Sequence, residues 1–364
     1  MVQIESSFKL FHVDPFCESA QMKTIAFFNN KGGVGKTTLS CNIAAHFALR
    51  LKKRVLVIDC DPQCNASQLV LSDERCEELY RDTGNSKGST LLSVMQPIND
   101  GDASISSNIV PELSSHNRFG VDLLPGHPGM SIVEDRLSSA WNNLRAAEVG
   151  GFRITNWFSQ LLEQMSSRYD VAFVDLGPSL GPLARSVLLG ADFFVTPMGC
   201  DIFSIVGIRN IGEWISRWVE DYERHLGHFR RDNSDAVSRF RLRTSVAVSR
   251  GFAGYTVLQY ITKSREGERR ATTAFEDILK LIPTTIQDSL GSMLVDQVSI
   301  EEAHLGDIPN LFSLVPLAQT AHAPITGLES RDGLAGGQYK QQEVYADFIQ
   351  RVGNQLASNT RTIS

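Results

Sequence analysis

The sequence predicts an α/β protein, doubly wound, with a mostly parallel sheet flanked by helices. Three observations lead there. Short continuous apolar runs recur along the chain, stretches of helical apolar spacing separate them, and the first run leads through a glycine-rich turn into the first helix. Continuous rather than alternating runs belong to strands buried on both faces, as in a parallel sheet covered by helices.

Residues 1–21 read as an N-terminal arm, with no cationic region followed by an apolar run and hence no signal peptide. "KTIAFFN" (23–29) is the first strand, and Leu39, Ile43 and Phe47 give 37–49 a helical stripe. The further strands are "RVLVID" (54–59), "VDLLP" (121–125), "DVAFVDLG" (170–177), "DFFVTPM" (192–198), "TSVAVSR" (244–250) and "LFSLVPL" (311–317). Helical patterns recur at 153–166, 204–225 and 341–357, while 227–243 and 326–338 read as loops. The polar stretch 72–108, with "RDTGNSKGST" and "NDGDASISSN", is expected to be a surface insertion with little core. No repeat or long linker divides residues 22–364, so a single domain is expected there.

With 364 residues, 42% of them hydrophobic, the chain can bury a large core. A net charge of −6 excludes a global positive field, so any contact with nucleic acid needs a local patch. The six cysteines, Cys17, Cys41, Cys60, Cys64, Cys76 and Cys200, form no C-x-x-C pair or zinc spacing and read as reduced thiols of a cytoplasmic protein. No apolar segment approaches the ~20 residues that span a bilayer.

The chemistry concentrates in "FFNNKGGVGKTTLSCNIAAHF" (27–47). Gly35, Lys36 and Thr37 close a phosphate-binding pattern whose opening glycine would stand at position 30, yet position 30 is Asn and Lys31 follows it. Phosphate oxygens need inward backbone N–H groups and a helix N-terminus behind them, and Gly32, Gly33 and Gly35 supply the close approach. Lys36 would neutralise the β- and γ-phosphates, Thr37 would ligate Mg²⁺, and Thr38 would reach the α-phosphate. Two apolar strands then end in acids at the sheet edge, one at Asp59 and Asp61 in "VLVIDCDPQCNAS" (55–67), the other at Asp175 in "YDVAFVDLGPSLG" (169–181). Each acid alone is as well read as a solvated turn; together with the Lys-Thr loop they indicate an Mg-nucleotide site.

"KGGVGKTT", the two acid-bearing blocks and "PMGCDIFSIVGIRNI" together resemble the ParA/MinD superfamily of deviant Walker-type ATPases, most closely the ParA branch that partitions chromosomes and plasmids. The likeness covers residues 22–220 and resumes at "LVPLAQTAHAPITG" (314–327), similar to the family's last strand and adjoining nucleotide-side loop, which puts Pro316 beside the nucleotide. The resemblance implies a P-loop NTPase fold, ATP and Mg²⁺ as cofactors, and an ATP-dependent homodimer. Lys31 matches the lysine that reaches the phosphates held by the other subunit, which gives the extra cation its anion. Asp61 matches the acid that orients the attacking water, so Lys31, Lys36 and Asp61 are the expected catalytic set. Lys31, Gly32, Gly33, Val34, Gly35, Lys36, Thr37 and Thr38 match the nucleotide cradle. Thr37, Asp59 and Asp175 match the magnesium side, Asp175 through water. The chain departs from many relatives at Cys64, at Gly177 and Pro178, and at Ser249 and Arg250 on the adenine side. Residues 72–108 and 251–310 exceed or diverge from the family plan.

The resemblance implies slow ATP hydrolysis driving partitioning or positioning, with nonspecific DNA binding and a stimulating partner. "FRRDNSDAVSRFRLR" (229–243) and "KSREGERR" (263–270) offer cations for DNA phosphates, against the plainer reading of solvated loops balanced by Asp232, Asp235, Glu266 and Glu268. The alternative is a regulatory ATPase switch that controls an effector protein without touching DNA. Membrane recruitment through 341–356 is disfavoured, because its polar face carries only Arg351 as a cation. Trp214 and Trp218 on a helical stripe read as core, and His127 has no nearby nucleophile to serve.

Overall fold

In the computed structural model, seven strands among the described residues form one parallel sheet. The described residues are 22–81, 88–259, 264–265, 268–269, 273–311 and 313–362, with side chains outside 264–275. The N-terminal arm expected at 1–21 therefore lies outside them. The strands of the sheet are β1 (Lys23–Phe27), β2 (Val55–Cys60), β3 (Asp122–Leu124), β4 (Val171–Leu176), β5 (Phe193–Gly199), β6 (Phe252–Leu258) and β9 (His304–Ile308). Two short strands between the last two, β7 (Ser264–Arg265) and β8 (Glu268–Arg269), pair antiparallel with each other. The order across the sheet is β3-β2-β4-β1-β5-β6-β9. The helices are α1 (Lys36–Leu49), α2 (Asn65–Val70), α3 (Asp73–Tyr80), α4 (Leu91–Asp100), α5 (Met130–Arg145), α6 (Val149–Thr155) and α7 (Trp157–Met165). They continue as α8 (Pro182–Gly190), α9 (Ile202–Asp232), α10 (Ser234–Arg239), α11 (Thr273–Leu290), α12 (Ile300–Ala303), α13 (Leu314–Thr320) and α14 (Gln338–Asn359).

Every residue of β2 and β4 is buried, which explains their unbroken apolar runs. Alternation within the strands divides the core in two. Ile25, Phe27, Val57 and Phe173 face α1 and α14, while Ala26, Leu56, Ile58 and Val174 face the α4 to α9 side. Parallel pairing brings the strand C-termini to one edge, with Asp59 of β2 and Phe27 of β1 on either side of Asp175. The doubly wound, parallel α/β fold expected from the sequence is the fold observed.

Several segments differ from expectation. The 72–108 stretch is no coreless insertion: α3 and α4 lie within it, and Leu91, Val94, Met95 and Ile98 enter the core. Their i, i+3, i+4, i+7 spacing was diluted by the polar residues around them. The strand expected at 244–250 is a 3₁₀ turn over Ala247–Arg250. The strand itself starts later, at Phe252, and holds Gly254 at φ 146°, where a Cβ would meet Ala303 O at 2.5 Å. Ser249 and Arg250 consequently stand at the N-terminal end of β6, opposite the edge that carries the acids.

The strand expected at 311–317 is also absent. Among the described residues the last strand is β9, whose mixture of exposed and buried positions marks a half-solvated edge strand, and Pro316 is exposed in the first turn of α13. The loop expected at 227–243 is helical as far as Arg239 but for the break at Asn233: Tyr222, Leu226 and Phe229 extend the buried stripe of α9, and Arg230 and Arg231 complement its C-terminal dipole. Trp218 is buried as expected, whereas Trp214 is 39% exposed. Of the apolar stripe on α14, Tyr345, Phe348, Ile349, Val352 and Leu356 pack into the core, whereas Val344 is exposed. No helix among the described residues is long and apolar enough to cross a membrane.

Candidate functional site

The site grows from the turn between β1 and α1. Gly33 and Gly35 hold φ of 74° and 79°, a left-handed backbone that strains residues with a Cβ. Gly35 is the N-cap of α1, and no side chain caps the helix or places an acid in its first turn. The N-terminal N–H groups of a 14-residue helix are thus left facing the loop, an arrangement that fits phosphate oxygens. Open space surrounds Gly32, Gly33 and Gly35, with nothing within 4 Å of an added Cβ.

The two lysines have different destinations. Lys36 is buried and turns inward, donating from Nζ to the Lys31 carbonyl at 3.1 Å. Burial lowers its pKa, against the pull of Asp175 and Asp61. Lys31 is held at its backbone by Asn29 Oδ1 (2.9 Å), and Asn29 in turn donates to Pro197 O at 2.6 Å. Its Nζ turns away from its own loop to pair with Asp201, the N-cap of α9. That pair is about one-third exposed, at 35% and 34% of the two side chains.

Acids close the floor. Thr37 Oγ1 and Ser40 Oγ donate to the two Asp175 oxygens at 2.7 and 3.2 Å. Burial, then the Asp59 charge alongside, lifts the Asp175 pKa to about 7, and burial lifts that of Asp59 to about 6. Two neighbouring buried carboxylates that resist ionisation fit a place where a divalent cation supplies compensating charge. Among the described residues no group of three or more His, Cys, Asp or Glu side chains is placed to hold a metal. The donors present, Thr37 and Asp175, suit Mg²⁺, which keeps waters and takes phosphate oxygens as ligands. Asp61 follows Asp59 and is 7% exposed; its N–H bonds Asp59 Oδ1 (3.1 Å) and its Oδ1 accepts from Gln63 N (3.0 Å).

A family model described as an AAA domain matches residues 22–227. Over 206 residues the chain is 33% identical to a virulence plasmid ParA family protein of Chlamydia muridarum, a match covering 56% of this chain and 66% of that protein. The chain belongs to the ParA family. It is also 31% identical over 193 residues to a chromosome-partitioning ATPase of Thermus thermophilus, covering 53% of this chain and 61% of that one. The chain thus spans about two thirds or less of the length of these curated relatives. Among solved structures, a crystal structure of a Corynebacterium diphtheriae protein is 34% identical with a TM-score of 0.70, covering 93% of this chain and 98% of that one.

Within this ParA fold, the structure brings together the sequence-selected Lys31, Gly32, Gly33, Val34, Gly35, Lys36, Thr37, Thr38, Asp59, Asp61 and Asp175 at one sheet edge, while Pro316 is an exposed residue of α13, the helix that follows β9. The departures have local reasons. Cys64 adopts φ 55° as the N-cap of α2, a conformation glycine takes more easily. At Gly177 a Cβ would stand 3.0 Å from Asp61 Oδ1, so the missing side chain makes room for that acid. Sequence reasoning missed Asn29, Ser40, Ser67 and Asp201. Only Asp201 carried a signal, an acid three residues before Ser204 at the head of an apolar helical run.

Elsewhere, Cys41, Cys60, Cys64, Cys76 and Cys200 are buried cysteines outside any disulfide, and burial pushes Cys64 up to about 12. Part of the 229–243 cluster is committed internally: Arg241 pairs with Glu163, Arg243 Nε reaches Ser159 Oγ at 3.3 Å, and Arg239 stacks on Phe240. Arg230 and Arg231 are exposed. The side chains of 263–270 lie outside the described residues. A cavity of about 790 Å³ lies at the far end of α1, between His46, Arg50 and Asn354, away from the phosphate loop.

Proposed function

We propose that this ParA-family chain binds Mg-ATP at the β1–α1 loop, dimerises on it and hydrolyses it slowly. The observation that carries the reading is the divergence of the two lysines. Lys36 serves its own loop; Lys31 stands at the mouth, where a second subunit can offer it an anion. In this reading Lys31 and Lys36 neutralise phosphate charge, Thr37 and Asp175 hold Mg²⁺, Asp59 sits beside them, and Asp61 orients the attacking water. Bound Mg²⁺ would neutralise charge between phosphate oxygens, and phosphoryl transfer needs little beyond such positioning.

The biological role we infer is partitioning or positioning of a cargo, with the ATP-bound dimer resting on nonspecific DNA and a partner protein stimulating hydrolysis. The names of the Chlamydia and Thermus relatives support that role. The second reading, a switch acting on an effector protein without DNA, draws on the arginines of 229–243 that are spent on internal contacts. One experiment separates them: Asp61→Ala protein, expected to retain ATP because turnover falls at least roughly a hundredfold, is titrated with nonspecific duplex DNA across a salt series. ATP-dependent binding that weakens steeply with salt is the expected result. A dimer that ignores DNA would move the role to the effector switch, and undiminished turnover would remove Asp61 from catalysis.

A further inference from the structure

Ser67 is fully buried in α2, and its hydroxyl is spent on an unusual pair of partners. Its backbone N–H and its Oγ both donate to Asp59 Oδ2, at 2.8 and 2.6 Å. The same Oγ accepts the Gly126 N–H at 3.0 Å, from the turn between β3 and α5. The other oxygen of Asp59 accepts the Asp61 N–H. A serine inside a helix ordinarily bonds back to a carbonyl of its own helix. Here it joins three separate segments around one carboxylate.

The Gly126 contact is close. A Cβ there would lie 3.1 Å from Asp59 Cγ and 3.2 Å from Cys64 Sγ, so the turn is seated on the acid-bearing loop. Both oxygens of Asp59 are therefore engaged within the fold, and whatever displaces this carboxylate displaces the backbone of Asp61 with it.

We infer that Ser67 is a positioning residue, which fixes Asp59 and through it the Asp61 loop, and ties both to the Gly126 turn. The inference rests on the proposed ATPase activity for its consequence and on geometry alone for its wiring. Asp59 thereby orients the loop that carries the water-side acid. The Gly126 turn continues into half-buried His127 and exposed Pro128, so a surface contact there has a hydrogen-bonded route to Asp61.

The test compares wild type, Ser67→Ala, Ser67→Thr and Gly126→Ala by ATP turnover, half-saturating ATP and amide exchange at Asp61 without nucleotide. Removing a hydrogen bond to a charged group predicts a roughly tenfold to hundredfold fall in kcat for Ser67→Ala, with KM moving less than about threefold. Asp61 amide exchange should quicken, although its own partner atoms are untouched. Threonine should restore both. Gly126→Ala, which leaves Ser67 intact and crowds Asp59, should shift both in the same direction. A folded Ser67→Ala with wild-type kcat and wild-type Asp61 exchange would overturn the inference. A wild type without turnover would instead sink the ATPase reading, while the exchange comparison would still decide the wiring.

Discussion

Asp175, proposed above to hold Mg²⁺, is placed where a carboxylate costs stability. It is buried between β1 and β2, beside Asp59, and burial is the main reason its proton is held up to about pH 7. The sign follows from linkage. A carboxyl whose folded pKa is raised leaves the protein most stable below the ordinary carboxyl pKa, and stability is lost as pH rises from there towards the folded value. Asp175→Asn should therefore raise the melting temperature of nucleotide-free protein at pH 8, with a smaller gain at pH 5. Thermal melts at the two pH values check this; a gain that is equal or larger at pH 5 would contradict the assignment. The motif residues were legible because they are neighbours in sequence. Asn29 and Ser67 were not, because their meaning lies in contacts with Pro197 and Gly126, 168 and 59 residues away.

At the scale of elements, legibility tracked the continuity of the apolar run rather than burial alone, since edge strand β3 was found and the buried interior strand β6 was not. β1, β2, β4 and β5 lie inside the sheet, read as continuous apolar runs and were found within a residue or two. β6 and β9 each carry a glycine at positive φ, Gly254 and Gly306, and β9 mixes polar residues among its apolar ones, so neither stood out. Helix α11 was hidden in the segment that diverges from the family, yet it crosses α9 closely at Gly212, where a Cβ would lie 2.3 Å from Ser289 O. Gly212→Ala should push the two helices apart. Overpacking against backbone costs about 1–3 kcal/mol, outweighing the ~1 kcal/mol that alanine gains in helix propensity. A chemical denaturation curve reads the difference, and a variant as stable as wild type would show that the crossing yields.

For the whole molecule, the sheet collects every strand C-terminus at one edge, and Lys31 stands on that edge held by an acid of its own subunit. A partly exposed ion pair is worth only about 0.2–1 kcal/mol, so in the proposed dimer a phosphate presented by a second copy would displace Asp201. The same weakness predicts that Asp201→Asn dimerises at a lower ATP concentration, by up to about fivefold. The fold class was legible from composition and periodicity; the proposed dimer rests, in the sequence, on the position of one lysine.

The most direct test is therefore the molar mass of wild type and Lys31→Ala, measured by light scattering with Mg-ATP and with Mg-ADP. The predicted result is a dimer of wild type in ATP only, and a folded monomer of Lys31→Ala in both. A Lys31→Ala protein that dimerises with ATP as readily as wild type, or a wild type that stays monomeric while ATP is bound, would contradict the account.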